Sequence, residues 1–377
     1  MYRGVSYNAE EDLRNTETPC TVRLLRANNV QDGEIVFDDI QIIDRKCVKE
    51  TQLLQTGDIL VCMANGSRDL VGKAAQFNDK ERLYTFGAFM GCFRTKNVND
   101  SNYISYLLQS TKYRKYITIL LAGSSINNLR PSDIESMEFQ FPTDAERQMI
   151  VSCLQDVDKQ ISSTQHLLTK YESIKKATVK KLMTPTRNWQ TTTIENIANV
   201  VTGATPTTSI PEYWDNPTIP WMSSGEIKNR FITSTNNRIS QLGYDRTSTH
   251  LIKPNSVLIA LAGQGTTRGK VAINRIELCT NQSLAAITPF RPEDYGYIFW
   301  NLNSRYNELR SISTGDGGRG GLNLHLIKAL PIQLPDEILR DSISTQLFSI
   351  AQLEDKLHNR IIKLKDIKQS MLQYYFD

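Results

Sequence analysis

The stretch 143–183 reads TDAERQMIVSCLQDVDKQISSTQHLLTKYESIKKATVKKLM and contains neither Gly nor Pro. Its apolar residues Ile150, Leu154, Val157, Ile161, Leu168, Tyr171 and Ile174 recur mostly three and four apart. That spacing makes a buried stripe on one side of a helix. About 40 residues at 1.5 Å rise predict a helix of about 60 Å, too long to stand without a cover for its apolar side. A second stretch, 336–376, has the same length and pattern, with Ile343, Leu347, Ile350, Leu357, Ile361, Leu364, Ile367 and Met371. Two long helices packed on each other, each following a globular domain, are therefore expected. Thr143 and Glu146 form the Thr-x-x-Glu box that starts such a helix, and Pro185 closes the first one.

The chain repeats itself. NNLRPSDIESMEFQFP (127–142) lies over GGLNLHLIKALPIQLP (320–335) without a gap. Leu129 meets Leu322 and Pro142 meets Pro335, 193 residues on, and the same offset carries Ile150 onto Ile343. Upstream, ILVCMANGSRDLVGKAA (59–75) matches VLIALAGQGTTRGKVA (257–272), and YISYLLQS (103–110) matches YIFWNLNS (297–304). RLLRANNVQDGEI (23–35) is a weaker match to WMSSGEIKNRFI (221–232). The order is the same in both halves, which is the signature of an internal duplication. Short β-rich runs such as 58–64, 137–142, 256–262 and 270–274 alternate with helical ones such as 101–121, so each repeat reads as α+β. NWQTTTIENIANVVTGATPTT (188–208) opens the second repeat, while the first starts at Tyr2-Arg3-Gly4, level with Thr202-Gly203. The opening segment of the second repeat thus has no counterpart; either the first is shortened or a segment from elsewhere fills the gap.

Composition bounds the function classes. The 377 residues are 40% hydrophobic and 22% charged, with 44 basic against 40 acidic groups and a net charge of +4. Such a balance is compatible with nucleic acid but does not argue for it. No apolar run approaches a membrane span, and the N-terminus lacks an apolar leader core, so a cytoplasmic protein without a membrane partner is expected. The cysteines at 20, 47, 62, 92, 153 and 279 form no CxxC pair, which suggests reduced, mostly buried thiols.

Catalytic patterns fail on inspection. Gly263 and Gly269 are separated by five residues and Val271 follows Lys270, so the Walker spacing is not met. Pro335-Asp336 with Glu354-Asp355-Lys356 imitates a nuclease motif, but carboxylates some 27 Å apart along one helix cannot share a metal. The four histidines (166, 250, 325 and 358) belong to no HExxH motif or metal-like cluster. No catalytic residue, metal site or cofactor site is expected in this chain.

Binding is the remaining class. The turns at Asn65, Ser67, Arg68 and Lys73 and at Gln264, Thr266, Thr267, Arg268 and Lys270 combine amide, hydroxyl and basic groups at the same place in both repeats. Those groups suit phosphates and base edges; the plain alternative is a polar hairpin that happens to be basic. Arg319 in GDGGRGG is a lone cation that either orders on a nucleic-acid backbone or stays solvated. Asn28, Asn29, Ser223 and Ser224 follow β-like runs and read better as turn caps.

Two α+β repeats, each ending in FPTDAERQMIV or LPDEILRDSIS and a long helix, resemble the specificity (S) subunit of type I restriction-modification systems. WQTTTIENIANVVTGATPTT resembles the start of that family's target-recognition domains, and MLQYYF the end of its helix. The resemblance implies two duplicated target-recognition domains, 1–142 and 185–335, separated by two long antiparallel coiled-coil helices, 143–184 and 336–377. It further implies a non-catalytic subunit whose domains each read one half of a bipartite site in double-stranded DNA. The helices would set the spacing and dock two methyltransferase (M) subunits, with motor-endonuclease (R) subunits joining them. S-adenosylmethionine, ATP and Mg²⁺ would belong to those partners. A duplicated protein-interaction scaffold is the alternative.

Overall fold

A computed structural model of the chain describes residues 1–123, 126–263, 265–312 and 321–377. The periodic stretches are two uninterrupted helices, Asp144–Leu182 and Glu337–Phe376. Thr143 caps the first as its sequence requires: its backbone N–H donates to the Glu146 carboxylate at 2.9 Å, and its hydroxyl accepts from Glu146 N.

Contacts divide the chain into two compact units. One comprises Met1–His166 with His358–Asp377, the other Leu167–Leu357. Both divisions fall inside the long helices. Each unit therefore holds one repeat, the first half of the helix that follows it and the last half of the other helix. In the first unit, Ile150, Val151 and Leu154 pack with Leu372 and Phe376, and Val157 and Ile161 with Leu364. The start of one helix thus lies on the end of the other, which makes the pairing antiparallel. The second unit repeats the arrangement with Ile343, Leu347 and Ala351 against Val179, Leu182 and Met183.

The stripe departs from the sequence expectation at several places. The spacing places Ile174, Ile350 and Ile367 on it, but Ile174 is 42% and Ile367 49% exposed, and Ile350 is only half buried. Ala351, Leu372 and Phe376 are buried instead, and Lys175 reaches the buried Glu354 carboxylate across the seam. A helix turns 3.6 residues per turn, so an apolar residue one position off the stripe is carried to the outside whatever its hydrophobicity.

The sheets confirm the duplication strand by strand. In the first repeat Tyr2–Arg3, Met90–Phe93, Ile59–Cys62 and Ala74–Gln76 form one antiparallel sheet in that order. The second has Ala198–Thr202, Leu284–Pro289, Val257–Ala260 and Val271–Asn274 in the same order, with Phe231–Ile232 added at the edge. A second sheet centres on Thr21–Leu25, antiparallel to Gln41–Asp44 and parallel to Tyr84–Phe86. Its counterpart centres on Ile219–Met222, antiparallel to Asn237–Ile239 and parallel to Cys279–Thr280. Residues 101–121 form two helices, Val98–Leu107 and Thr111–Ala122, because Ser110 caps the second by accepting from Tyr113 N at 3.2 Å.

One expected strand is missing. Residues 137–142 belong to no strand, whereas their counterpart Pro331–Leu334 pairs with Gln190–Thr193. Gln190–Thr193 lies in the opening segment 188–208 of the second repeat; among the described residues 137–142 bonds to no strand.

A buried arginine joins each repeat to its helix. Arg340 donates to Pro335 O at 2.8 Å and to Asp294 Oδ1 at 2.8 Å. Arg147, 193 residues earlier, donates to Pro142 O and to Asp100 Oδ1 (3.0 Å) and lies 3.9 Å from the centre of the Phe141 ring. The two sites differ in burial: the Asp294 side chain is 7% exposed and that of Asp100 26%. Removing one partner of a buried pair strands a desolvated charge. Asp294→Ala, which leaves Arg340 without its buried carboxylate, should destabilise the protein by about 3–5 kcal/mol in urea denaturation. Asp100→Ala should cost clearly less, because Arg147 keeps the solvated Asp144. Equal losses for the two would contradict the burial argument.

Candidate nucleic-acid interface

The two glycine-lysine turns close alike. Gly72 N donates to Cys62 O at 2.8 Å and Gly269 N to Ala260 O at 2.9 Å. Cys62 N then donates to Lys73 O at 2.8 Å, and Ala260 N to Lys270 O at 3.0 Å. Gly72 and Gly269 both have positive φ, +82° and +83°. A Cβ on Gly72 would also meet the Ile117 side chain at 2.9 Å, so conformation and space both call for glycine there.

Each turn is tied down from the helix behind it. Arg114, in Thr111–Ala122, donates to Val71 O at 2.6 Å. Tyr306 and Arg310, in Tyr306–Ile312, donate to Thr266 O at 2.8 Å and Gly265 O at 2.7 Å. Asn65 Oδ1 accepts from Ser67 N at 2.9 Å, an Asx turn that leads into the short 3-10 segment Arg68–Leu70.

These anchors divide the expected binding residues. Asn65 lines a cleft of about 1190 Å³ with Arg26, Asn28, Phe89 and Asn127. Lys73 lies away from it, in a cleft of about 680 Å³ with Asp32, Asp158, Lys365 and Lys368. There Asp32 pairs with Lys365 at 2.9 Å and Asp158 with Lys368 at 2.7 Å; the Lys365 hydrogen bond holds the Asp32 carboxyl below its usual range. Arg68 is exposed but turns back to donate to Thr118 O at 3.3 Å. In the second repeat Lys270 lines a basic cleft of about 390 Å³ with Lys175, Lys228, Arg230, Trp300 and Tyr306. Thr266 is exposed, and Thr267 and Arg268 are half buried. Gln264 and Arg319 lie outside the described residues.

The residues first read as turn caps also separate. Asn29 is 1% exposed; its Oδ1 accepts from Arg26 N, and its amide donates to Val36 O and Asp38 O at 2.9 and 2.8 Å. It is a structural cap. Asn28, one position earlier, faces the larger cleft and donates to Asp39 at 3.2 Å. Phe89, which no motif in the sequence marks, lines the same cleft and is 71% exposed.

Among the described residues no group of three or more His, Cys, Asp or Glu could hold a metal ion, and no helix is long and apolar enough to cross a membrane. Cys62, Cys92 and Cys279 are buried, Cys47 and Cys153 half buried and Cys20 exposed. Burial pushes the Cys279 thiol up to about 11, which leaves it protonated and unreactive at neutral pH. Lys73→Ala and Lys270→Ala are expected to alter neither the hairpin nor its melting temperature by more than a degree or two, since only the backbone of each closes the turn. A loss of several degrees would place these side chains in the fold.

Comparison with known proteins gives the arrangement a family. The model of the type I restriction modification DNA specificity domain matches twice, over 8–173 and 186–364. The chain is 33% identical over 179 residues to the StySPI specificity subunit of Salmonella potsdam, covering 47% of this chain and 38% of that one. It is 32% identical over 164 residues to the EcoKI specificity subunit of Escherichia coli K12, covering 44% and 35%. The chain thus matches well under half the length of these relatives. In fold it is similar to the type I restriction-modification S subunit from M. genitalium, with a TM-score of 0.64 at 15% identity over 100% of this chain and 93% of that one. With two copies of the domain covering most of its length, the chain belongs to the type I restriction modification DNA specificity domain family.

Proposed function

We propose that this chain is the DNA-reading subunit of a type I restriction-modification complex, each repeat reading one half of a bipartite duplex site. The observation that carries the reading is the duplication itself. One backbone scaffold occurs twice with different side chains on its loops, within a family described as a DNA specificity domain. Two modest reading modules gain affinity from each other when a linker lets both engage one ligand.

The chemistry then lies with partners. Two methyltransferase subunits would bring S-adenosylmethionine, and motor-endonuclease subunits ATP and Mg²⁺. The outer faces of the long helices suit docking: Ile362, Ile367 and Tyr374 are 50%, 49% and 83% exposed on the second helix, where nothing in its own unit covers them. Double substitution Ile367→Asp and Tyr374→Asp should abolish co-purification with the methyltransferase subunit while leaving the melting temperature unchanged. Retention of the partner would remove this face from the docking surface.

The helices would also set the distance between half-sites. A heptad inserted at matching points of both adds about 10 Å by helical rise, so the preferred spacer should lengthen by about three base pairs. An unchanged spacer in an intact complex contradicts that role.

The direct test is binding by the complex reconstituted with its methyltransferase subunit. Affinity for a specific duplex should fall about a thousandfold or more between 50 and 200 mM salt if six or more phosphates are contacted. Salt-independent binding, or none, would favour a duplicated protein-interaction scaffold instead.

A further inference from the structure

The two repeats can be laid on each other through their hydrogen bonds, and one place stands out. Gly87 N donates to Leu25 O at 3.0 Å, and Asn281 N to Met222 O at 3.0 Å. Met90 N donates to Gly87 O at 2.9 Å, and Leu284 N to Asn281 O at 3.2 Å. Met63 N donates to Phe89 O at 2.8 Å, and Leu261 N to Ser283 O at 2.9 Å. The three-residue turns Gly87-Ala88-Phe89 and Asn281-Gln282-Ser283 are therefore the same turn, built on the same strand ends.

The chain that crosses each turn is repeated as well. Gly4 approaches the Gly87 carbonyl, where a Cβ would meet the oxygen at 2.0 Å, and Gly203 approaches Thr280, where it would meet the oxygen at 1.7 Å. The neighbouring caps match too: Asn29 Oδ1 accepts from Arg26 N and Glu226 Oε1 from Ser223 N, both at 2.9 Å.

The frame is kept and the lining is not. In the first repeat Phe89 of the turn lines the cleft of about 1190 Å³ together with Asn28 and Asn65. In the second the same positions are Ser283 beside Gly225 and Gly263, and an exposed Gln282 stands where Ala88 was. Gln282 Oε1 accepts from Thr205 Oγ1 at 2.8 Å, which orients its amide. Phe89 is 71% exposed and shares its cleft with amides; apolar surface and an amide in one cleft match the thymine methyl and the adenine edge of one A·T pair.

We propose that these two turns are the sequence-reading elements of the two repeats: the first cleft takes an A·T pair, Phe89 on the thymine methyl and Asn28 on adenine, and Gln282 reads a base edge in the other half-site. This rests on the DNA-reading function proposed above. It also makes Lys73 and Lys270, which lie in other clefts, irrelevant to base choice.

The experiment is methylation of a randomised duplex library by the complex, with wild type, Phe89→Ala, Asn28→Ala and Gln282→Ala chains, alongside melting curves. Phe89→Ala and Asn28→Ala should relax the same A·T position by about tenfold or more in one half-site and leave the other half unchanged. Gln282→Ala should relax one position in the opposite half only. All three are surface changes, so melting temperatures should not move. An unchanged motif for all three variants, or a uniform loss across both halves, overturns the assignment while the DNA-reading function stands. A wild-type complex with no sequence preference overturns that function and this assignment with it.

Discussion

A guanidinium that has left water needs a fixed set of acceptors, and Arg147 and Arg340 impose that need where each domain becomes a helix. Each is 9% exposed and each donates to the proline carbonyl just before its helix and to an acid at the start of an earlier one. Rotating the helix about its axis or sliding it by one residue would strand the charge. The direction in which the helix leaves the domain is thereby held. Because the arginine recurs 193 residues on, the same exit is specified twice.

From that starting point the helix pairing follows. Ile150 and Ile343, and Leu154 and Leu347, occupy equivalent places below the two arginines, and each pair meets the far end of the other helix. Existence, length and partnering of the helices were legible in the periodicity and in the absence of Gly and Pro. The register was less so. Ile174, Ile350 and Ile367 are large and apolar yet lie outside the buried seam, while the seam also uses Ala351 and the Lys175–Glu354 pair, which no hydrophobic pattern selects. The α+β class and the order of the repeat were also readable. The unpaired edge at 137–142 was not, because MEFQFP alternates as a strand should and lacks only a partner.

The equivalence of the two candidate turns was legible in the sequence; the directions of their side chains were not. The turns ending in Gly72-Lys73 and Gly269-Lys270 are equivalent, as their sequences suggest, but the helix behind each decides where side chains go. Arg68 is drawn back to Thr118 O, and Lys73 shares a cleft with Asp32 rather than with Asn65. Phe89 carries no signal in the sequence, because its exposure and its place in one cleft with Asn28 and Asn65 follow from the fold alone. The equivalence of the two turns sets it opposite Ser283.

Two independent readers joined by helices in one chain is the proposed arrangement. Mapping methylated bases in genomic DNA from cells with and without this gene tests it most directly. The account predicts that the gene adds methylation at a two-part motif, two specified segments separated by an unspecified spacer of constant length. A single contiguous motif, or a methylation pattern that does not depend on the gene, would contradict it.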